Sequence, residues 1–262
     1  MTEGSHAESS GAFLARAYDL DLIDDPGDLE LYRALARRTG GPILELGVGT
    51  GRLAIPLASE GYEVTGVDAD PHMLERAKRA WAADSRRGGA LELVEADLRD
   101  VSLDGRFGLV ILALNTLLLV GDRDAQALGL RTMAAHLRPR GVAVVDIWLP
   151  AADDLALYDG HTRLEWEREI PDAGERIAKT TSARHDAATA TVTLTQWFDV
   201  WPMAGGPLRR YSRVDDLYLV GATELVALAE AAGMVIERVA GDHQMGPFGP
   251  GVERAVLLGT LV

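Results

Sequence analysis

Between Pro42 and Ile147 short apolar runs alternate with amphipathic stretches, and this alternation limits what the chain can fold into. Pro42 to Leu46, Glu63 to Asp68, Leu91 to Glu95, Phe107 to Leu114 and Gly141 to Ile147 read as strands. The last two are continuous apolar runs, as parallel strands covered on both faces require. Helical stretches separate them: Arg52 to Glu60, closed by Gly61; Pro71 to about Ala83, carried by Met73, Leu74, Ala77 and Trp81; and Asp124 to Leu137. Such an order predicts a doubly wound α/β sheet with right-handed crossovers. Upstream, apolar positions from Tyr18 to Arg38 predict a cap helix stopped by Gly40-Gly41-Pro42.

After Pro150 the period changes. Thr162 to Ile170, Arg176 to His185, Thr189 to Val200 and Leu208 to Leu219 predict an antiparallel meander. A helix from Thr223 to Ala232, with Thr223 as N-cap and Gly233 as stop, returns the chain to the main sheet, where Val235–Ala240 and Arg254–Leu261 add two strands, antiparallel in part. The expected whole is α/β: a seven-stranded, mostly parallel, doubly wound sheet with an antiparallel β insertion. Its parts are a tail and cap helix (1–40), a core (41–157 and 220–262) and the insertion (158–219).

Chemistry enters at Glu45-Leu46-Gly47-Val48-Gly49-Thr50-Gly51, between the first strand and the first crossover helix, with Asp68 ending the next strand 21 positions after Gly47. A loop without side chains turns tightly and lets a ligand approach the backbone, while a carboxylate at Asp68 can accept hydrogen bonds from two ribose hydroxyls. An adenosine-containing ligand is implied. The dinucleotide fingerprint is G-x-G-x-x-G, but here the third glycine arrives one residue early, which favours S-adenosylmethionine (SAM) over a nicotinamide dinucleotide. Glu45 agrees: an acid is counterproductive beside a diphosphate but offsets the sulfonium and ammonium charges of SAM. The plainer alternative is a tight turn and a helix-capping aspartate.

Ile43 to Gly51, followed by Val64-Thr65-Gly66-Val67-Asp68-Ala69-Asp70-Pro71-His72-Met73-Leu74, resembles the opening motifs of class I SAM-dependent methyltransferases, over about residues 18–150 and 221–262. The resemblance implies a Rossmann-like core with Gly47, Val48, Gly49 and Gly51 under the methionine part of SAM, Asp68 on the ribose, and Ala69 and Met73 beside the adenosine. It places Asp97 and Leu98, in Glu95-Ala96-Asp97-Leu98, at the adenine; the alternative for Asp97 is to cap the turn into Leu98 to Asp100. Ala113, Leu114 and Asn115 are implied where methyl donor and acceptor meet, Asn115 being equally well a turn former. Tyr18, in Ala17-Tyr18-Asp19, matches a tyrosine that related enzymes fold over SAM. The segment from Gly160 to Leu219 resembles, in length and position, the insertion of amino-sugar and glycine-type N-methyltransferases, either an acceptor lid or a homodimer contact. Its aromatics, Trp166, Trp197, Phe198, Trp201, Tyr211 and Tyr218, read mainly as the apolar face of a small sheet, with one or two left for substrate. Arg209, Arg210 and Arg213 hold an acidic acceptor or pair with Asp215 and Asp216.

The expected activity is SAM-dependent methyl transfer to a small-molecule acceptor, nitrogen or oxygen left open. The alternatives are a non-catalytic SAM-binding regulatory module and an NAD-dependent oxidoreductase. Methyl transfer can proceed by positioning alone, with a general base only where the acceptor must lose a proton. Tyr18 and His243 are the catalytic candidates, with His161 and His185 behind them. No metal is expected, since spacing reveals no convergent ligand set and Asp146 is the only well-placed carboxylate. With 26 Lys and Arg against 40 Asp and Glu, the net charge of -14 repels nucleic acid and anionic membranes. No apolar run is long enough to span a bilayer, Met1 to Gly11 reads as a frayed tail without a signal peptide, and the chain has no cysteine, so a cytoplasmic enzyme is expected.

Overall fold

The computed structural model describes residues 8–24, 26–86 and 88–261, so most of the predicted tail lies outside the described residues. In chain order the elements are α1 (Ser10–Asp21), α2 (Leu29–Thr39), β1 (Ile43–Leu46), α3 (Ala54–Ser59), β2 (Glu63–Asp68), α4 (Pro71–Ala83), β3 (Ala90–Glu95), β4 (Phe107–Leu112), α5 (Thr116–Leu119), α6 (Arg123–His136), β5 (Leu137–Trp148), α7 (Ala152–Leu157), β6 (Asp159–Ile170), β7 (Glu175–Asp186), β8 (Thr191–Pro202), β9 (Arg209–Tyr218), α8 (Ala222–Ala231), β10 (Val235–Ala240) and β11 (Arg254–Thr260). They form two compact units, one of residues 15–150 with 220–261, the other of residues 151–219 with residues 8–14.

The larger unit holds seven strands in the order β10-β11-β5-β4-β1-β2-β3. β3, β2, β1, β4 and β5 are parallel, and β11 runs antiparallel to both β5 and β10. β1 and β4 are buried along their whole length, as their apolar runs require. Leu44, Leu46, Leu109, Ile111, Leu112, Val142 and Val144 are fully enclosed, each worth about 1.5–3 kcal/mol in area removed from water. Strand order reverses between β1 and β4, and ligands of open α/β sheets bind outside the carboxyl ends of strands at such a point.

Several boundaries differ from expectation for local reasons. The single cap helix is two helices, because Pro26-Gly27 interrupts it, Gly27 at φ 75°, and Asp28 takes the N-cap of α2. The helix after the insertion starts from Gly221, which makes no side-chain cap bond, so Thr223 falls within its first turn instead of capping it. Gly233, at φ 93°, ends it as expected. α7 was not foreseen.

The smaller unit is the predicted meander, β6-β7-β8-β9. Registers place Trp166, Lys179, Phe198 and Tyr211 in one row across the four strands. Phe13 closes this row, stacked on Tyr211 at 3.9 Å between centroids and edge-on to Phe198 at 5.7 Å. The arginine cluster is neutralised on the sheet: Arg209 pairs with Glu175, Arg210 with Asp199 at 2.6 Å and Arg213 with Asp215 at 2.7 Å. Asp216 is not part of it, since it accepts from Thr193 at 2.6 Å. Among the described residues no helix is long and apolar enough to cross a membrane.

Candidate active site

The glycine turn leaves β1 and is tied at once to β2, where the Val67 carbonyl accepts from the N–H groups of Gly47 (2.8 Å) and Val48 (2.9 Å). Gly47, Gly49 and Gly51 all have positive φ, at 75°, 55° and 87°. At Gly47 the requirement is double, because a Cβ would also lie 2.4 Å from Thr116 Cγ2. Above Gly49 lies the ring of Tyr18, 3.7 Å from where a Cβ would stand. Burial pushes the Tyr18 phenol up to about 12, so the group stays protonated.

Asp68, at the end of β2, accepts from Gly49 N–H at 2.8 Å through Oδ2 and from Asp70 N–H at 2.9 Å through Oδ1. One carboxylate therefore fixes the loop and the turn into α4, and joins Gly49 to Asp68 directly. Burial raises the Asp68 pKa, opposed by these N–H bonds. Glu45 is buried, and its Oε2 has no hydrogen-bond partner. Burial, opposed by Arg52, pushes its carboxyl up to about 8, from an ordinary 4.5.

Between those two values the folded protein holds a proton that the unfolded chain lacks, so Glu45 makes stability fall as pH rises from 4.5 toward about 8. Glu45→Gln is expected to flatten this part of the stability profile, measured as urea midpoints across pH; superimposable profiles for the two proteins refute the assignment.

The next group of residues follows β4 at its carboxyl end. Leu114 and Asn115 take consecutive left-handed conformations, φ 43° and 67°. Asn115 Oδ1 accepts from Trp148 N–H at 2.6 Å, its own N–H bonds the Asp146 carbonyl at 3.0 Å, and Leu114 N–H bonds Asp146 Oδ2 at 3.3 Å. Asp146 is fully buried, with His243 Nε2 at 3.1 Å and Arg254 at 2.6 Å. Burial raises its pKa, but His243 and Arg254 outweigh this and hold it below the usual range. Nearby, Asp28 is bound by both arms of Arg52, at 2.5 and 2.7 Å.

Ligand-capable atoms of Asp28, Asp146 and His243 lie within 4.8 Å of one another, a convergence that spacing does not reveal. Both carboxylates already carry a guanidinium, so the cluster is charge-balanced without an ion.

A family model described as a methyltransferase domain matches residues 43–141. The cypemycin N-terminal methyltransferase of Streptomyces sp is 32% identical over 175 residues, which are 60% of this chain and 68% of that protein. The chain belongs to the SAM-dependent methyltransferase family. SAM is the methyl donor of this methyltransferase. The dTDP-3-amino-3,6-dideoxy-alpha-D-glucopyranose N,N-dimethyltransferase of Streptomyces fradiae is 32% identical over 158 residues, 56% of this chain and 57% of that protein. Among solved structures, the CcbJ methyltransferase of Streptomyces caelestis superposes with a TM-score of 0.74 at 26% identity, covering 92% of this chain and 95% of that one.

In this methyltransferase Glu45, Gly47, Val48, Gly49, Gly51 and Asp68 lie toward the carboxyl ends of β1 and β2, Tyr18 stands over Gly49, and Leu114 follows the carboxyl end of β4. The cradle fits the donor: its glycines leave room, and the buried Glu45 Oε2 is without a hydrogen-bond partner, as a group awaiting a cationic ligand would be. Val48 is buried, in place against Gly66, and Met73 is buried on α4, whereas Ala69 is exposed beside them. Asp97 is engaged by Arg99, whose N–H it accepts at 2.9 Å, the turn-capping arrangement. Leu98 lies 3.0 Å from where a Cβ at Gly129 would stand, against α6. Asn115 is a turn former that also ties β4 to β5. His161, mostly exposed, pairs with Asp159 at 2.8 Å in the smaller unit.

Sequence reasoning missed Asp28, Arg52 and Arg254. Their partners are distant in sequence, and the one local signal was Asp28 directly after Pro26-Gly27, where an N-cap is expected.

Proposed function

We propose that this methyltransferase methylates the nitrogen of a small-molecule amine. The observation carrying this reading is that the Gly49–Asp68 bond follows β1 and β2, and the Leu114–Asp146–His243 bonds follow β4 and β5, at the carboxyl ends of strands flanking the point where strand order reverses. Both relatives named above are described as acting on amino nitrogens, one on a peptide N-terminus and one on an amino sugar. In this reading Asp68 binds the ribose hydroxyls, Glu45 gives up the proton it holds in the donor-free protein and then offsets the donor's positive charge, Tyr18 covers the loop, and the glycine backbone accepts the methionine part. SAM supplies an electrophilic methyl group; the protein's work is to hold the acceptor nitrogen in line with it.

Calorimetry with S-adenosylhomocysteine, with NADH as control, tests the donor site. Mass spectrometry then tests the acceptor, using SAM with dTDP-3-amino-3,6-dideoxyglucose, glycine and an alanyl peptide, each beside its hydroxyl counterpart. Methylation of amines alone is expected. Methylation of hydroxyls alone overturns the nitrogen assignment, and binding of SAM without product from any of them favours a regulatory module.

A further inference from the structure

Asp146 and His243 form a unit that donor binding does not use. His243 sits in the loop between β10 and β11, which folds back on itself: Gly241 N–H bonds the Gly246 carbonyl at 3.1 Å, Gly246 N–H bonds Asp242 Oδ1 at 2.8 Å, and Ala240 bridges to Pro247. The loop admits no side chain at either glycine. A Cβ at Gly246 would stand 2.4 Å from Asp242 Oδ2, and one at Gly241 would stand 2.6 Å from Val252 Cγ1. The imidazole is thus presented from a rigid turn, with 10% of its side chain exposed.

Only one ring nitrogen is engaged. Asp146, held in its charged form by Arg254 and His243, can only accept, so Nε2 must carry the proton in the 3.1 Å bond. Nδ1 is left with its lone pair and no protein partner among the described residues. The same carboxylate oxygen that takes Nε2 also takes Leu114 N–H, so the histidine is anchored to the backbone at the carboxyl end of β4, beside the point where strand order reverses. The charged and titratable groups around it are Asp146 on β5, Arg254 on β11, Asp28 at the head of α2 with its partner Arg52, Tyr32 on α2, and Asp242 in its own loop.

We propose that His243, oriented by Asp146, is the general base that deprotonates the acceptor. This inference rests on the amine reading. The acceptor ammonium gives one proton to Nδ1: the N–H bond breaks, its electron pair stays on nitrogen, and the ring becomes an imidazolium beside the Asp146 carboxylate. That pair forms the new C–N bond as the C–S bond of the donor breaks, with sulfur keeping its pair as a thioether. The product leaves as an N-methylammonium, and Nδ1 returns its proton to solvent. Asp146 is a positioning residue.

With dTDP-3-amino-3,6-dideoxyglucose as acceptor, His243→Gln is expected to lower kcat at neutral pH at least about 100-fold, as for loss of a general base. The acid limb of its pH–rate profile should move up to the pH at which the acceptor ammonium loses its own proton, while the Kd of S-adenosylhomocysteine stays within about threefold. Asp146→Asn, which offers Nε2 an amide in place of a charged acceptor, should lower kcat and retain the acid limb. A kcat for His243→Gln within about threefold of wild type at every pH overturns the proposal. A second readout needs neither acceptor nor variant. In 15N spectra of histidine-labelled wild-type protein without donor, Nε2 of His243 should carry the proton and Nδ1 should be bare. A proton found on Nδ1 with Nε2 bare overturns the base whether or not an amine is ever methylated. If the spectra show the expected tautomer but no amine is turned over, the amine reading alone fails.

Discussion

Asp68→Ala is expected to weaken S-adenosylhomocysteine binding more than about tenfold, roughly 1.4 kcal/mol. The carboxylate has two tasks. It accepts from the N–H groups of Gly49 and Asp70, which holds the glycine turn and the start of α4 in register, and in the proposed mode it also faces the ribose. Hydrogen bonds to a charged acceptor are worth about 1.5–3 kcal/mol each, and losing the acceptor leaves backbone donors unpaired. Asp68→Asn divides the tasks, because its amide keeps one oxygen but turns an NH2 toward a donor, and an intermediate loss is expected. Calorimetry measures both variants. Unchanged affinity in Asp68→Ala removes Asp68 from the donor site.

Arg52→Ala should produce the largest loss of stability. Asp28 is fully buried and both its oxygens are taken by Arg52, so the variant leaves a carboxylate in the interior without a counter-charge. Removing one partner of such a pair costs about 3–5 kcal/mol, mostly as the penalty on the charge left behind. Adding Asp28→Asn to Arg52→Ala should recover much of that loss, since the orphan is then neutral; the difference is a coupling read from a double-mutant cycle in urea. A loss in Arg52→Ala below about 1 kcal/mol, the scale of an exposed ion pair, would mean that the two groups do not depend on each other.

The sequence made the sheet legible wherever period and punctuation agree. The apolar runs of β4 and β5, the early third glycine of the turn and the four-segment meander each carry a signal within a few residues. Asp68 and the glycines could be placed on one cleft because a strand–turn–helix fixes their relation locally. Asp28, Arg52, Arg254 and Asp146 could not be grouped, since their contacts form only when strands distant in sequence lie side by side. Tyr32 shows the same limit: its spacing marks a core face, yet its hydroxyl ends up buried without a partner near Asp28 and Asp146. Asp97 shows another, for the turn geometry that would offer it to an adenine equally lets it hold Arg99.

Leu114 and Asn115 have a wider bearing. Two successive non-glycine residues with positive φ cost about 1–3 kcal/mol each, and the fold tolerates them because Asp146 and the backbone of Trp148 grip both. In the proposed site, strain and grip meet where donor and acceptor would be aligned. A chain relaxed there would be more stable and less precise, so evolutionary tinkering with acceptor preference has reason to leave these two positions untouched and to work on the surrounding walls instead.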